Sequence, residues 1–339
     1  MRIAWILYGD LAQRTGGTIY DAEVVRGLRR AGDDVRVISL PRAGLVRELR
    51  RIAPDVVVGD ELCFRELAVA FRLLGRGAIE RVLLVHHLTA WETERSPWRR
   101  RMLRVLESLA MSASDRIVTT SRTTRRRLVE EGARRPVAVV LPGADRLGQR
   151  GERERERERD TRFVFVGSIV ARKRVLELVR AFAAGAHERG RLALVGSTTR
   201  DAGYVGEVRA LVTERDLGAR VVLTGELEEA GVARVLADAD VLVMPSSLEG
   251  YGIAATEAIY AGVPVIAARA QGLEEALAPC PDACLFADDE ASLASALKRF
   301  ATDATLRASM IAAARFAGPR MPTWAGCAEG FRAALTRTS

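Results

Sequence analysis

Short apolar runs alternate with longer amphipathic stretches along the whole chain. Some of the short runs are apolar throughout, such as residues 56–58 and 241–243, which is typical of strands covered on both faces. Between the runs lie helical patterns such as Thr18–Ala31 and Val175–Glu188. Repeated βα units of this kind predict an α/β fold with parallel sheets and right-handed crossovers. In such sheets ligands collect at the carboxyl ends of the strands.

The apolar runs predict two successive sets of strands. The first set is Ile3–Tyr8, Val35–Leu40, Asp55–Gly59, Arg81–His86, Asp115–Thr120 and Val137–Leu141, and the second is Phe163–Val166, Leu192–Val195, Val221–Thr224, Val241–Met244 and Val263–Ala267. Residues 151–160 lie between the sets and read GERERERERD, which contains no apolar residue and cannot contribute to a core. We therefore predict an N-terminal domain at 1–150, a charged linker at 151–160 and a second domain at 161–322. A C-terminal helix within 323–339 is expected to pack back on the first domain.

The composition indicates a folded two-domain protein. The 339 residues are 48% hydrophobic and 28% charged, and no apolar run approaches the roughly 20 residues of a membrane span. The opening segment MRIAWILYGD predicts a first strand and not a signal peptide. The four cysteines are scattered, which argues against a disulfide framework, and Cys280 and Cys284 lack a second pair for zinc. We expect a cytoplasmic protein.

The positive charge is concentrated in the first half of the chain. Residues 1–150 hold 28 arginines and 18 acidic residues, a net charge of +10, whereas residues 151–339 have a net charge of −2. A basic half could attract nucleic acid, an anionic membrane surface or an acidic substrate. Arginine-rich codon usage is the alternative, because Lys173 and Lys298 are the only lysines.

The sequence argues against a nucleic acid as the partner of this basic half. It has no helix-turn-helix or zinc-finger pattern, and its aromatic content is only 5%. Ser96–Leu106, by contrast, is a basic helical stretch with Trp98, a composition typical of an interfacial helix at the inner face of a membrane. An ordinary solvated helix face is the alternative for this stretch.

The segment from Met244 to Glu257, MPSSLEGYGIAATE, is the richest in candidate chemistry. A buried strand ends at Pro245, a loop carries Glu249 and two glycines, and a helix is predicted from near Ile253. The start of a helix after glycine-rich backbone offers unpaired N–H groups, which suit a diphosphate. Two carboxylates beside this point could accept hydrogen bonds from sugar hydroxyls. The alternative is a capped helix with two solvated acids.

This segment resembles the E-x7-E motif of the GT4 family of retaining glycosyltransferases. Other segments resemble family motifs in the family's order, namely residues 15–18 (TGGT), 85–87 (VHH), 115–121 (DRIVTTS), 139–145 (VVLPGAD), 165–174 (FVGSIVARKR) and 194–196 (LVG). The resemblance runs through most of the chain. It implies the GT-B fold, in which two Rossmann-like domains face each other across a cleft.

The resemblance also implies roles for single residues. Glu257 would bind the ribose of the nucleotide, Glu249 would bind hydroxyls of the transferred sugar, and Lys173 would contact phosphate. The backbone of Gly250, Tyr251, Gly252 and Ile253 would hold the diphosphate, and Gly16 and Gly17 would let the backbone approach donor or acceptor. His86 would lie near the transferred sugar.

The chain departs from the family pattern at the phosphate loop. The family usually has an arginine directly after the glycine corresponding to Gly167, and here that residue is Ser168. Arg172 is the candidate to compensate for the missing charge. Gln271-Gly272 also stands where the family often has Gly-Gly, and Tyr251 replaces a more usual phenylalanine.

The resemblance therefore implies transfer of a sugar, with retained anomeric configuration, from a nucleotide-diphosphate-sugar co-substrate. The acceptor, a small molecule, lipid or glycan, is not identified. No metal is expected, because Asp238-Ala-Asp240, which looks like a D-x-D metal motif, precedes a buried strand at the end away from ligands. The alternatives are a peripheral membrane enzyme that glycosylates anionic lipids and a sugar-nucleotide epimerase or phosphorylase of the same fold.

Overall fold

The protein divides into two compact units. The computed structural model describes residues 1–41, 43–75, 77, 79–93, 96–149 and 160–336. The first unit comprises Met1–Pro142 and Thr323–Ser339, and the second comprises Gly143–Pro322. The predicted linker lies outside the described residues except for Asp160, whose carboxylate contacts Arg191 and Arg220.

The first unit is a parallel sheet flanked by helices. Its strands are β1 (Arg2–Tyr8), β2 (Asp34–Leu40), β3 (Val56–Asp60), β4 (Glu80–Val85), β5 (Arg116–Thr119) and β6 (Val137–Val139). Its helices are α1 (Gly16–Arg30), α2 (Leu45–Ile52), α3 (Phe64–Leu74), α4 (Pro97–Ala113), α5 (Arg122–Glu130) and α13 (Trp324–Thr336). The strands lie in the order β2-β1-β3-β4-β5-β6.

The second unit repeats this plan. Its strands are β7 (Thr161–Val166), β8 (Gly190–Val195), β9 (Val221–Gly225), β10 (Val241–Met244), β11 (Val265–Ala267) and β12 (Cys284–Phe286), in the order β12-β11-β10-β7-β8-β9. Its helices are α6 (Val175–Gly185), α7 (Ala202–Glu214), α8 (Glu229–Asp238), α9 (Ile253–Tyr260), α10 (Gln271–Leu277), α11 (Glu290–Thr302) and α12 (Ala304–Ala317).

Apolar strands of the second sheet are covered on both faces, as their sequence predicts. Val241 and Val243 of β10 pack into one core layer, whereas Leu242 and Met244 pack into the other. Because successive side chains of a strand point to opposite faces, an entirely apolar strand fits a sheet between two helical layers. The predicted α/β class with two parallel sheets is therefore confirmed.

Two local predictions need correction. Strand β12 was not predicted, because its residues CLF include no β-branched side chain, in contrast to the equally short strands β6 and β11. Helix α1 begins at Gly16 instead of Thr18, because Thr15 and Thr18 form a capping box around its first turn. The Thr18 amide donates to Thr15 Oγ1 at 3.1 Å, and the Thr15 amide donates to Thr18 Oγ1 at 3.0 Å.

The boundary between the two units lies between Pro142 and Gly143, whereas the sequence had predicted it at residue 150. Ala144 is fully buried in the core of the second unit, and its amide donates to the carbonyl of Pro322 at 2.8 Å. Residues 143–149 therefore belong with the second sheet, although the charged segment that suggested the boundary follows them.

Helix α13 completes the core of the first unit. The ring of Phe331 lies 5.2 Å from that of Trp5, and Arg332 Nε donates to Asp33 Oδ2 at 2.8 Å. Gly27 of α1 allows this close approach, since a Cβ there would lie 2.2 Å from that of Ala328. The last helix therefore packs against the first strand and the first helix of the chain.

Two further expectations concern the whole chain. None of the helices in the described ranges has both the length and the apolar character needed to cross a bilayer. All four cysteines are free and buried. The Cys284 thiol donates to the carbonyl of Cys280 at 3.3 Å, so this pair is part of the packing around β12.

Candidate active site

The second sheet reverses its winding between β10 and β7. Later strands add to both sides of β7, and the carboxyl ends of β10 and β7 therefore flank a topological switch point, the usual ligand site of such sheets. Lys173 lies in the turn that follows β7, and Glu249 lies in the loop that follows β10. The fold thus brings together two candidates that are 76 residues apart in sequence.

Lys173 and Glu249 form a buried ion pair at this point. Lys173 Nζ donates to Glu249 Oε1, and the two side chains are only 10% and 8% exposed. Burial lowers the pKa of Lys173 below its ordinary value, although the Glu249 carboxylate opposes that shift. Burial alone would raise the pKa of Glu249, but the Lys173 ammonium and the Arg172 guanidinium lower it. Glu249 is therefore an ionised carboxylate, and Lys173 is paired with it.

Arg172 fastens the turn after β7 to the loop after β10. Its Nη1 donates to the carbonyl of Leu248 at 3.1 Å, and its own carbonyl accepts from the Ser247 amide at 2.9 Å. The Arg172 side chain, which was the candidate to compensate for the charge that Ser168 lacks, therefore holds the Glu249 loop in place by a hydrogen bond.

Glycines allow the backbone of the Glu249 loop to lie close to two helix starts. Gly252 has a φ of 103° in the left-handed region and is the residue before α9, so the first turn of that helix has no side-chain cap. Gly272 of α10 packs on the loop, since a Cβ there would lie 2.2 Å from the carbonyl oxygen of Gly250. Tyr251 is buried, and α9 begins at Ile253, as predicted. This backbone has the form that suits a bound diphosphate.

Glu257 lies one turn inside α9 and is paired with an arginine that the sequence analysis did not identify. Arg146 Nε donates to Glu257 Oε1 at 2.8 Å, and Arg146 Nη2 donates to Glu257 Oε2 at 3.0 Å. Arg146 Nη1 also contacts Glu229 Oε2 at 3.3 Å. Burial opposes the charge of Arg146, but these two carboxylates raise its pKa above the ordinary value. The carboxylate assigned to ribose is therefore engaged by a guanidinium.

The D-x-D look-alike lies at the opposite edge of the second sheet. Asp240 precedes β10, is buried, and accepts a hydrogen bond from the Arg162 amide at 2.9 Å. Asp238 lies 3.6 Å from the guanidinium of Arg162. These carboxylates therefore hold the amino ends of β7 and β10 together.

The first sheet reverses its winding between β1 and β3, and a second group of candidates lies there. Gly16 and Gly17 start α1 after β1, and His86 follows β4. A Cβ on Gly17 would lie 3.2 Å from His86 Cδ2, whereas a Cβ on Gly16 would have open space. Gly17 is therefore a close-packed neighbour of His86, and Gly16 leaves the start of α1 accessible.

His86 is surrounded by buried carboxylates. Its Nε2 lies 3.3 Å from Asp21 Oδ1 and 3.6 Å from Asp60 Oδ2, and its amide donates to Glu61 Oε2 at 3.0 Å. Burial alone would lower the pKa of His86, but Glu61, Asp21 and Asp60 raise it to about 9. Burial and the neighbouring acids raise the pKa of Asp60 well above its ordinary value. The raised pKa favours the imidazolium form of His86 at neutral pH, and in this form the ring donates hydrogen bonds.

The acidic partners of His86 were not predicted from the sequence. Asp60 ends the buried strand β3 and Glu61 directly follows it, and Asp21 is four residues after Gly17 on the same helix face, so both signals were present in the sequence. Among the described residues, Asp21, Asp60 and His86 are the group that could hold a metal ion, with ligand atoms within 4.8 Å of one another.

The charge of His86 leads to a prediction about pH. Its pKa is raised from 6.5 to about 9, so the stabilising contribution of the imidazolium is complete below pH 6.5 and is lost as pH rises through 9. The ring-proton NMR signal of His86, assigned by its loss in His86→Gln, is expected at the imidazolium position at pH 7.5. With three histidines in the chain the spectrum is simple. A neutral ring at pH 7.5 would contradict the assignment.

Two family models match different parts of the chain. The model described as "Glycosyl transferases group 1" matches residues 150–316, and the model described as "Glycosyltransferase Family 4" matches residues 39–146. A curated relative, the D-inositol 3-phosphate glycosyltransferase of Acidothermus cellulolyticus, is 29% identical over 222 residues, which are 60% of this chain. The chain spans 49% of that relative's length, about half.

Solved structures match the whole chain at low sequence identity. Sucrose-phosphate synthase from Thermosynechococcus elongatus superposes with a TM-score of 0.83 at 20% identity over 98% of each chain. Anabaena Alr3699/HepE in complex with UDP and glucose superposes with a TM-score of 0.82 at 17% identity over 99% of each chain. At these identities the likeness shows a shared fold.

Proposed function

Because this chain belongs to the group 1 glycosyltransferases, we propose that it transfers a sugar from a nucleotide-diphosphate-sugar donor to an acceptor hydroxyl, with retained anomeric configuration. The observation that carries the proposal is the convergence of Lys173, Glu249 and the start of α9 at the switch point of the second sheet. A cation, a carboxylate and uncapped backbone amides in one place suit a sugar diphosphate.

The second unit binds the donor in this proposal. The backbone of Gly250–Ile253 and Lys173 contact the diphosphate, Glu257 accepts hydrogen bonds from the ribose, and Glu249 accepts them from the sugar. The complexes of HepE with UDP and with UDP-glucose support a nucleoside diphosphate as the common part of the donor. Lys173 can contact Glu249 and the diphosphate at the same time, because its ammonium has three N–H donors and Glu249 accepts from one of them.

The first unit binds the acceptor. The Asp21, Asp60 and His86 group offers both hydrogen-bond acceptors and an imidazolium donor at the ligand edge of its sheet. A polyol can use both kinds of partner, and the name of the inositol phosphate glycosyltransferase relative points the same way. Hydroxyl-rich molecules are therefore the first acceptors to screen.

Electrostatic stabilisation of the leaving group accounts for catalysis. The acceptor hydroxyl attacks the face of the sugar from which the nucleotide departs, and the leaving phosphate takes up the hydroxyl proton. The negative charge that develops on the diphosphate is stabilised by Lys173 and by backbone amides at the start of α9. His86 takes no proton in this scheme, since it already carries one.

Screening of nucleoside diphosphates by thermal stabilisation tests the donor assignment. A ligand at 100 times its dissociation constant stabilises the native state by about 2.7 kcal/mol, which is readily measured. Failure of ADP, GDP, UDP, CDP and dTDP to raise the melting temperature would contradict the assignment. Product formation from the nucleotide-sugar without any acceptor would instead favour an epimerase, and dependence on inorganic phosphate would favour a phosphorylase.

We expect transfer to continue in EDTA. In the proposed reaction Lys173 and the α9 amides, not a divalent cation, balance the charge of the diphosphate. Turnover is measured after gel filtration into EDTA, with magnesium-saturated EDTA as the control for inhibition by the chelator itself. Loss of activity that Mg²⁺ or Mn²⁺ restores would contradict this prediction and direct attention to Asp21, Asp60 and His86.

Helix α4 carries a surface that favours an anionic membrane as a partner. Trp98, Met102 and Val105 recur at helical spacing and are 63%, 42% and 57% exposed. Arg99, Arg101 and Arg104 are exposed beside them, and α3, which packs on α4, exposes Val69 and Leu73. Exposed apolar side chains among arginines suit the boundary between lipid headgroups and acyl chains.

Vesicle binding tests this surface. Wild-type protein is expected to sediment with vesicles that contain phosphatidylglycerol and not with neutral phosphatidylcholine vesicles. Replacing Trp98, Met102 and Val105 together by serine is expected to abolish sedimentation, because the buried apolar area is lost. Val222→Ser in the second unit, at a site 55% exposed, is the matched control and should bind normally. Equal sedimentation of the triple variant and wild type would contradict the proposal.

A further inference from the structure

Arg146 occupies the part of Glu257 that a ribose would use. Its guanidinium makes two parallel hydrogen bonds, Nε to Oε1 at 2.8 Å and Nη2 to Oε2 at 3.0 Å. A fork of this kind covers the open edge of a carboxylate, with one donor on each oxygen. The two vicinal hydroxyls of a ribose also present one donor to each oxygen. Arg146 and a ribose therefore compete for the same edge.

A second carboxylate, that of Glu229, lies within reach of Arg146 and offers its guanidinium an alternative partner. Arg146 Nη1 lies 3.3 Å from Oε2 of Glu229, at the start of α8. The Glu229 side chain is 52% exposed, whereas that of Glu257 is only 3% exposed. The guanidinium thus lies between a buried carboxylate and a solvated one. Rotation of the side chain toward Glu229 would release Glu257 while one ion pair is kept.

When Arg146 moves from Glu257 to Glu229, new contacts on both sides offset the free energy of the contacts that are lost. A buried carboxylate that loses a charged donor is strongly destabilised, so Arg146 does not leave Glu257 without a replacement. The hydroxyls of a ribose supply that replacement, and the pairing with Glu229 limits the loss on the side of the arginine. The free energy of nucleotide binding is therefore less favourable by the free energy that is needed to separate Arg146 from Glu257.

We propose that Arg146 gates the ribose-binding carboxylate. It covers Glu257 when the donor site is empty and turns to Glu229 when a nucleotide binds. The gate rests on the proposed function, because it requires Glu257 to bind the ribose. A gate of this kind raises the dissociation constant by the inverse of the fraction of molecules in which Glu257 is released.

Binding of UDP and GDP to variants at pH 8 tests the gate. Arg146→Ala is expected to tighten binding of the better nucleotide by about 5- to 10-fold, mainly through faster association, because Glu257 then needs no release. Glu229→Gln is expected to weaken binding, since Arg146 loses its alternative partner. Arg191→Ala is the matched control, because Arg191 pairs with Asp160 at the amino end of β8 and should have no effect.

A double-variant cycle separates the gate from a general change in structure. In a Glu257→Gln background, Arg146→Ala should change affinity by less than about twofold, because the gated charge is absent. Weaker binding by Arg146→Ala with an intact melting transition would overturn the gate and make Arg146 a positioning residue for Glu257. Absence of binding by wild type and by every variant would overturn the donor assignment itself and the gate with it.

Discussion

Replacing Lys173 by alanine is expected to reduce the turnover of transfer by ~10²–10³-fold, toward the upper end of that range. Removal of one donor to a developing anion typically has an effect of this size, and here Ser168 provides no second charge in the phosphate loop. Arg172 is already engaged with the carbonyl of Leu248. Lys173 therefore contributes an unusually large part of the stabilisation of the leaving diphosphate.

The buried ion pair between Lys173 and Glu249 makes the prediction specific for lysine at this position. Lys173→Arg should recover little activity, because a planar fork replaces a compact ammonium in a buried position. Arg172→Ala should be milder than Lys173→Ala. Lys298→Ala is the matched control, since Lys298 is the other lysine and is exposed on α11. Turnover of Lys173→Ala close to that of wild type would refute the assignment, and a larger loss in Arg172→Ala would move the role to that residue.

Glu257→Ala is expected to weaken binding of the best nucleoside diphosphate by roughly 10- to 100-fold, measured by calorimetry. Hydrogen bonds to a charged group contribute about 1.5–3 kcal/mol, and this carboxylate is placed to accept two from a ribose. The buried position of Glu257 excludes water as an equivalent partner. The sheet should remain folded, because Arg146 can still pair with Glu229.

The controls for Glu257→Ala separate binding from folding. Glu214→Ala removes an exposed acid from α7 and should bind as wild type does. The melting transition of Glu257→Ala must remain cooperative for its affinity to be interpreted. Wild-type affinity in a folded Glu257→Ala variant would show that the ribose is held elsewhere.

The sequence pattern predicted the sheets better than it predicted the side-chain partners. Strands such as β7 and β10 are buried on both faces, so their apolar runs are distinctive. In the fold these two strands are neighbours, and Lys173 and Glu249, which follow their carboxyl ends, lie together. Strand β12 was missed because its three residues include no valine, isoleucine or threonine, whereas the equally short strands β6 and β11 contain them.

The pairing of charges could not be read from the sequence. Lys173 was expected to contact phosphate and Glu257 to bind ribose, and in the folded chain each also has a protein partner of opposite charge. Arg146 is 111 residues from Glu257, and its position depends on the second-unit packing of residues 143–149. In a chain with 50 arginines, composition alone cannot indicate which arginine reaches a given carboxylate.

The place of α13 affects how the chain can fold during its synthesis. Phe331 packs on Trp5 and Tyr20, so the aromatic core of the first unit needs a helix that leaves the ribosome after all of Gly143–Pro322. At 5–20 residues per second the nascent first unit waits roughly 10–40 s for that helix. Throughout this interval the first unit exposes the apolar surface that α13 will later cover, and chaperones can bind to that surface. The second unit is continuous in sequence and can fold first, although it is synthesised later.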